Sequence, residues 1–111
     1  KKFNCSNGHQ LRDFVHINDV VNAIVKALKN KNTVGQIINV GSGKPIKVKK
    51  IIMYIKKALK GGQPLFGKIK LRKEESIKNY ANIKKAKKLI NWKPKISLKE
   101  GLDSTIKYYN E

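Results

Sequence analysis

Four short stretches of this chain repeat apolar residues at helical spacing. In the first, Val20, Ala23, Ile24, Ala27 and Leu28 fall at i, i+3, i+4, i+7 and i+8, which predicts a helix from Val20 to about Lys29 with one apolar face. In the second, Val48, Ile51, Ile52, Ile55 and Leu59 mark the inner side of a helix from about Val48 to Lys60. A third runs from an Asn82 cap through Ile83, Ala86, Leu89 and Ile90, and a fourth turns Leu98, Leu102, Ile106 and Tyr109 toward the core. Helices this short draw their stability from packing of the apolar face rather than from propensity. A chain of 111 residues has room for one core and little more.

The punctuation between these stretches is specific. Phe14 to Ile17 is a short β-favouring run, after which Asn18 or Asp19 can cap the first helix by accepting its free N–H groups. Gln36-Ile37-Ile38-Asn39-Val40 reads as a buried strand closed by Gly41-Ser42-Gly43. That turn lacks the third glycine of a dinucleotide fingerprint and the Lys-Ser/Thr ending of a P-loop, so it is read as a plain turn with tight backbone passage. Lys47, Lys49 and Lys50 crowd the start of the second helix, against the macrodipole, and Gly61-Gly62 stops it. A strand is expected from about Lys68 to Leu71, then a polar bend at Arg72-Lys73-Glu74-Glu75. Asn91-Trp92-Lys93-Pro94 breaks the third helix. Ser97-Leu98-Lys99-Glu100 is a capping box in which Glu100 reaches back to the Ser97 N–H.

Composition narrows the function classes. No apolar run approaches the ~20 residues of a membrane span, and no signal peptide follows Lys1 and Lys2. A single cysteine, Cys5, excludes an internal disulfide and a multi-cysteine metal site, and a cytoplasmic setting is expected. The chain begins without methionine in an irregular polar stretch, as a piece of a longer protein would. The net charge of +19 raises nucleic-acid binding as an alternative, since a strongly basic domain carries that electrostatic footprint. Against it, the lysines are scattered through every segment and no aromatics interleave with them as single-strand binders require. A solvated surface rich in lysine is the preferred reading, without specific nucleic-acid binding.

No catalytic residue emerges. His9 and His16 lack acidic neighbours at metal-ligand spacing, and His16, within an apolar run, reads as structural. Tyr80 and Lys84 have the Tyr-x-x-x-Lys spacing of dehydrogenases, but Asn82 between them is expected to cap a helix, so the pair should not share a face. The arginines carry more. Of 26 basic residues all but Arg12 and Arg72 are lysine, and two exceptions suggest a need for the planar fork that grips phosphate bidentately. Structural ion pairs explain them equally well on this ground. Glu75 could accept bonds from sugar hydroxyls or pair with a neighbouring lysine. Asn39 is either a structural tie or a ligand contact.

Together these residues resemble the NAD-dependent nucleotide-sugar epimerases and dehydratases of the extended short-chain dehydrogenase/reductase family. Arg12-Asp13-Phe14-Val15-His16-Ile17-Asn18-Asp19-Val20 is similar to their Arg-Asp-Phe/Tyr-hydrophobic-Tyr/His-Val-x-Asp stretch. Ile38-Asn39-Val40-Gly41-Ser42-Gly43 resembles their Tyr-Asn-Ile-Gly-Ser-Gly turn. Arg72 with Glu75, Asn82-x-x-Lys85-Ala86 and Leu89-x-Asn91-Trp92-Lys93-Pro94 look like their Arg-x-x-Asp, Asp-x-Ser-Lys-Ala and Leu-Gly-Trp-x-Pro segments, and Ser97 to Leu102 matches their closing helix. Departures fall at Ile38, Lys47, Glu75, Asn82 and Asn91, with Glu75 one methylene longer than the family's aspartate.

The resemblance implies an α/β fragment of α+β-like organisation: the small C-terminal substrate-binding domain, residues 1–111, about four helices with short strands and the Rossmann half absent. It implies that Arg12 and Arg72 approach the diphosphate of a nucleoside-diphosphate sugar, Glu75 the ribose and Asn39 the substrate pocket. The parent enzyme would oxidise the sugar transiently at C4 and act as a homodimer. NAD(P) and the catalytic Tyr-x-x-x-Lys would belong to the N-terminal Rossmann domain, so this chain alone is expected to be inactive and to bind no cofactor.

Overall fold

A computed structural model describes residues 1–110. Along the chain they form β1 (Lys2–Asn4), β2 (Leu11–Asp13), α1 (Ile17–Leu28), a 3-10 turn (Lys31–Thr33), β3 (Pro45–Lys47), α2 (Val48–Leu59), β4 (Gln63–Leu65), α3 (Lys84–Ile90) and α4 (Leu98–Tyr109). The chain divides into two compact units: residues 1–12 with 45–79, and residues 13–44 with 80–111. Four helices with short strands are therefore present, as predicted.

In the first unit, β1 pairs in parallel with β4, Phe3 opposite Pro64. β2 and β3 form a second two-stranded sheet, the unit boundary falling at the last residue of β2. Proline survives in β4 because a two-stranded sheet has only edges. The expected strand at Lys68–Leu71 is not one. The strand lies earlier, at Gln63–Leu65, where Lys1 and Leu65 carbonyls accept from the Gln63 and Cys5 N–H groups. α2 starts at Val48 as the periodicity predicts, and the unfavourable lysines are offset by backbone. Val48 N–H donates to Gln10 O at 3.1 Å and Lys49 N–H to Gly8 O at 2.9 Å, so the 8–10 loop satisfies the first turn that no side chain caps. A side chain at Gly8 would place its Cβ 2.6 Å from Lys49 Cβ, and Gly8 has φ +76°. Glycine is required there on both counts. α2 ends one residue before the predicted glycines, with Lys60 in the left-handed conformation.

The second unit is built around Trp92, which is fully buried with Ala23, Ala86 and Ile90, flanked by Ala27, Ile38, Val40, Ile83 and Leu89. Its indole N–H donates to Asp19 O at 2.9 Å, so the largest core residue satisfies its one polar atom inside the core. The segment read as a helix breaker thus supplies the core's centre: Asn91 takes the left-handed conformation that ends α3 and turns Trp92 back beneath it.

Several expectations are corrected here. α1 opens at Ile17, not Val20, and its N-cap is His16, whose Nδ1 accepts from Asn18 N–H at 3.1 Å; neither Asn18 nor Asp19 caps it. The run Phe14–Ile17 is not a strand. Ile24 and Leu28, expected inside, are 54% and 82% exposed, because the buried side of α1 is the smaller stripe at Ala23 and Ala27. The predicted strand Gln36–Val40 is irregular chain with no strand beside it among the described residues, and Ile37 is 83% exposed. Asn82 Oδ1 does accept from the Lys84 N–H at 3.1 Å, although α3 takes Ile83 as its N-cap. At α4, Ser97 Oγ accepts from Glu100 N–H at 3.1 Å, but the Glu100 carboxylate takes the Ser97 hydroxyl rather than its N–H. Tyr109, expected toward the core, is 81% exposed.

Candidate functional site

In the first unit the backbone brings distant residues onto Arg12. Leu11 N–H donates to Ile77 O at 2.7 Å and Asn79 N–H donates to Leu11 O at 3.0 Å, an isolated parallel bridge that fixes residues 77–79 beside β2. Two residues before that bridge stands Glu75, and its Oε1 lies 3.3 Å from Arg12 Nη2. A second guanidinium nitrogen, Nη1, donates to Leu11 O at 2.9 Å. The guanidinium is held at two points, with further N–H groups of its five remaining.

Arg72 joins this cluster through its backbone. Glu75 N–H donates to Arg72 O at 3.0 Å, closing a tight turn over the predicted polar bend. In return Arg72 N–H donates to Glu75 Oε2 at 3.3 Å. The one carboxylate therefore ties the Arg72 turn to Arg12. The Arg72 side chain is exposed, while Arg12 and Glu75 side chains retain about a quarter of their surface in solvent, 25% and 24%. Of the sequence alternatives for Glu75, pairing with a neighbouring lysine gives way to pairing with Arg12. Three of the four residues singled out by sequence thus meet, two of them arginines of one sign on one acidic tether. Chemically the Arg12 guanidinium can serve a ligand with anionic oxygens, while Arg72 enters the cluster through its backbone and its side chain stands exposed.

Asn39, the fourth, belongs to the second unit, exposed on the irregular segment 36–40. The sequence reading missed a residue of that unit. Asp13 sits among the backbone N–H groups of the glycine turn: Ser42 N–H reaches its Oδ1 at 2.6 Å, and Gly43 and Ala81 N–H reach Oδ2 at 3.0 and 3.1 Å. Burial pushes the Asp13 carboxyl upward, but the bonds from Ser42, Ala81 and Gly43 outweigh it and hold its pKa below the ordinary value of 3.8. A Cβ at Gly41 would lie 2.5 Å from Asp13 Oδ2 and 2.8 Å from Ala81 Cβ. The turn needs small residues because the chain's own carboxylate fills the anion nest. The signal lay in the sequence as an acid beside Arg12 and a Gly-Ser-Gly turn with no ligand fingerprint, but their pairing spans 29 residues.

The remaining candidates are structural in their contacts. His16 caps α1 and its Nε2 lies 3.2 Å from Ser104 Oγ on α4. Tyr80 precedes α3, whose first residue is Lys84, so that pair does not share a helical face.

Residues 1–105 match the family described as GDP-mannose 4,6 dehydratase. Over 106 residues the chain is 36% identical to UDP-glucuronate 4-epimerase of Thermodesulfobacterium geofontis (strain OPF15), an alignment taking in 95% of this chain and 32% of that protein. It is 32% identical over 108 residues to CDP-abequose synthase of Salmonella typhimurium (strain LT2), covering 93% of this chain and 36% of that one. Its structure is similar to that of UDP-glucuronic acid 4-epimerase from Bacillus cereus in complex with UDP-glucuronic acid and NAD, with a TM-score of 0.85 at 30% identity over 99% of this chain and 35% of that one. The chain spans about a third of the length of these relatives.

Proposed function

Because this chain belongs to the GDP-mannose 4,6 dehydratase family, we propose that it is the C-terminal, nucleotide-sugar-binding portion of an NAD-dependent nucleotide-sugar epimerase or dehydratase. The observation that carries this reading is the meeting of Arg12 with Glu75 and the Arg72 turn, residues 60 and more positions apart in sequence. Both arginines of a lysine-rich chain attach to this one turn, Arg12 by its side chain and Arg72 by its backbone. Arg12 and Arg72 grip the diphosphate of the nucleotide-sugar.

The residues present do not fit the dinucleotide. No Gly-x-x-Gly-x-x-Gly occurs in the sequence, and the Gly41-Ser42-Gly43 turn spends its Ser42 and Gly43 N–H groups on Asp13. Cofactor and hydride chemistry therefore belong to polypeptide outside this chain, and the residues here bind and orient. Exposed apolar groups support a larger body. Ile17, Val21, Ile24 and Leu28 recur along one side of α1, and Ile37 stands 83% exposed on the irregular segment 36–40. A covering sheet and its apolar face would satisfy both.

The test is isothermal titration of the intact polypeptide with nucleoside diphosphates, beside Arg12→Lys and Arg72→Lys. Each substitution keeps the charge and removes the fork, and about a tenfold loss of affinity is expected from a charge-assisted bidentate contact. Unchanged affinity in both variants would rule out the diphosphate clamp.

A further inference from the structure

Glu75 occupies a peculiar place for a residue expected to approach a ribose. Its Oε1 stands 3.3 Å from Arg12 Nη2 and its Oε2 accepts from Arg72 N–H. Both oxygens are directed at the arginine-bearing backbone and side chain. We propose that Glu75 is an internal counter-anion of the phosphate clamp, occupying on Arg12 the place that a ligand's phosphate takes over, and that it acts on binding through Arg12 rather than by touching the nucleoside. This rests on the diphosphate reading above and deepens it.

Three features of the contact fit an exchangeable tether rather than a permanent bridge. The pair is a single contact of Arg12 Nη2 with one carboxylate oxygen, where a fork and a carboxylate at their best make two parallel bonds. Both side chains keep about a quarter of their surface in solvent, and ion pairs so exposed contribute little to stability. Arg12 also has an anchor that survives the exchange, since Nη1 donates to the Leu11 carbonyl at 2.9 Å and Leu11 is itself fixed by Ile77 and Asn79. Losing Glu75 leaves the guanidinium in place. The acid, by contrast, sits on a turn closed only by its own bonds to Arg72, so it can withdraw with that turn. A phosphate arriving at Arg12 replaces a monoanionic, singly bonded partner by one with several acceptor oxygens.

Glu75 then has a sign that a ribose contact does not have. A counter-anion competes with ligand, so removing its charge strengthens binding of any phosphate-bearing ligand. A ribose contact helps the nucleotide, so removing it weakens nucleotide binding and leaves inorganic diphosphate unchanged.

The experiment titrates the intact polypeptide with inorganic pyrophosphate and with uridine diphosphate at about 150 mM salt, where diffuse attraction to the lysines is screened to roughly 8 Å. Glu75→Gln keeps an acceptor for Arg72 N–H and removes the charge. It should tighten both ligands about two- to fivefold, the range set by an exposed ion pair. Glu74→Gln, on the exposed neighbour in the same turn, removes the same charge without the contact and should change neither by more than a fraction of that. Glu75→Gln that weakens uridine diphosphate alone would overturn the proposal in favour of a ribose contact, and equal tightening by Glu74→Gln would reduce it to general electrostatics. Either result leaves the clamp intact provided Arg12→Lys still weakens pyrophosphate. If Arg12→Lys changes nothing, or if the unsubstituted polypeptide binds neither ligand, the clamp itself fails and the counter-anion fails with it.

Discussion

Asp13 and Asp19 in one unit and Glu75 in the other are carboxylates that fold into contact with distant chain, yet they are bound differently. Asp13 takes three backbone N–H groups. Asp19, 3% exposed, takes the Lys95 and Ile96 N–H groups at 3.1 and 3.0 Å while its own carbonyl receives the Trp92 indole. Several backbone donors hold each of them to distant chain, so these two acids are fixtures of the second unit, Asp19 buried and Asp13 half-buried. Glu75 shares a guanidinium and one N–H at the longer distance of 3.3 Å, a quarter exposed. Carboxylates fed by backbone N–H hold a fold together, whereas one that shares an arginine at the surface is free to yield to a ligand.

That contrast can be broken at several depths. Trp92→Ala in the second unit should cost the most, about 4 kcal/mol, from the cavity and from the unpaired Asp19 carbonyl. Urea denaturation followed by far-ultraviolet circular dichroism measures it, since the substitution removes the only tryptophan. A cost below about 1 kcal/mol would mean that Trp92 does not centre this core.

Asp13→Asn comes next, at about 2 kcal/mol, because an amide leaves one of three buried-facing donors against its own NH₂. Its pH signature has a definite sign. With the folded-state pKa held below 3.8, the stabilisation is fully present above that unfolded value and is lost as pH falls through the lower folded value. Acid titration monitored by Trp92 fluorescence should show a destabilisation below the ordinary carboxylate range that Asp13→Asn flattens. An identical acid limb in both proteins would contradict the anion nest.

In the first unit Glu75→Gln should alter stability by no more than about 1 kcal/mol, while shifting ligand affinity as described above. A loss comparable to that of Asp13→Asn would make Glu75 a structural tie and erase the contrast. Smallest is Asp103→Asn on α4. Its 2.9 Å pair with Lys99 is an i, i+4 contact with side chains 46% and 76% exposed, expected to matter by about 0.3 kcal/mol. Differential scanning calorimetry should find the two melting temperatures nearly superimposed.

Much of the fold is legible in the one-dimensional pattern. The four helices fall close to where the apolar spacing puts them, although α1 opens three residues earlier, at Ile17, and Ile24, Leu28 and Tyr109 of the stripes stay exposed. The Ser97 cap and the Asn91 stop are local hydrogen-bond and backbone geometry, and short-range sequence carries both. The two arginines were legible by rarity alone.

What tertiary structure decided is everything that depends on a partner many residues away. Gln36–Val40 has the composition of a strand, but strand formation needs a neighbour, and none is present among the described residues. Ile24 and Leu28 fit the helical stripe equally well, yet small Ala23 and Ala27 are the ones admitted beside Trp92. The glycine turn could not reveal its occupant, since Asp13 lies 29 residues before it. Likewise Glu75 found Arg12 across 63 residues. Sequence determines which groups seek burial or a counter-charge; only the closed chain, by fixing distances of about 3 Å, determines which of them find each other.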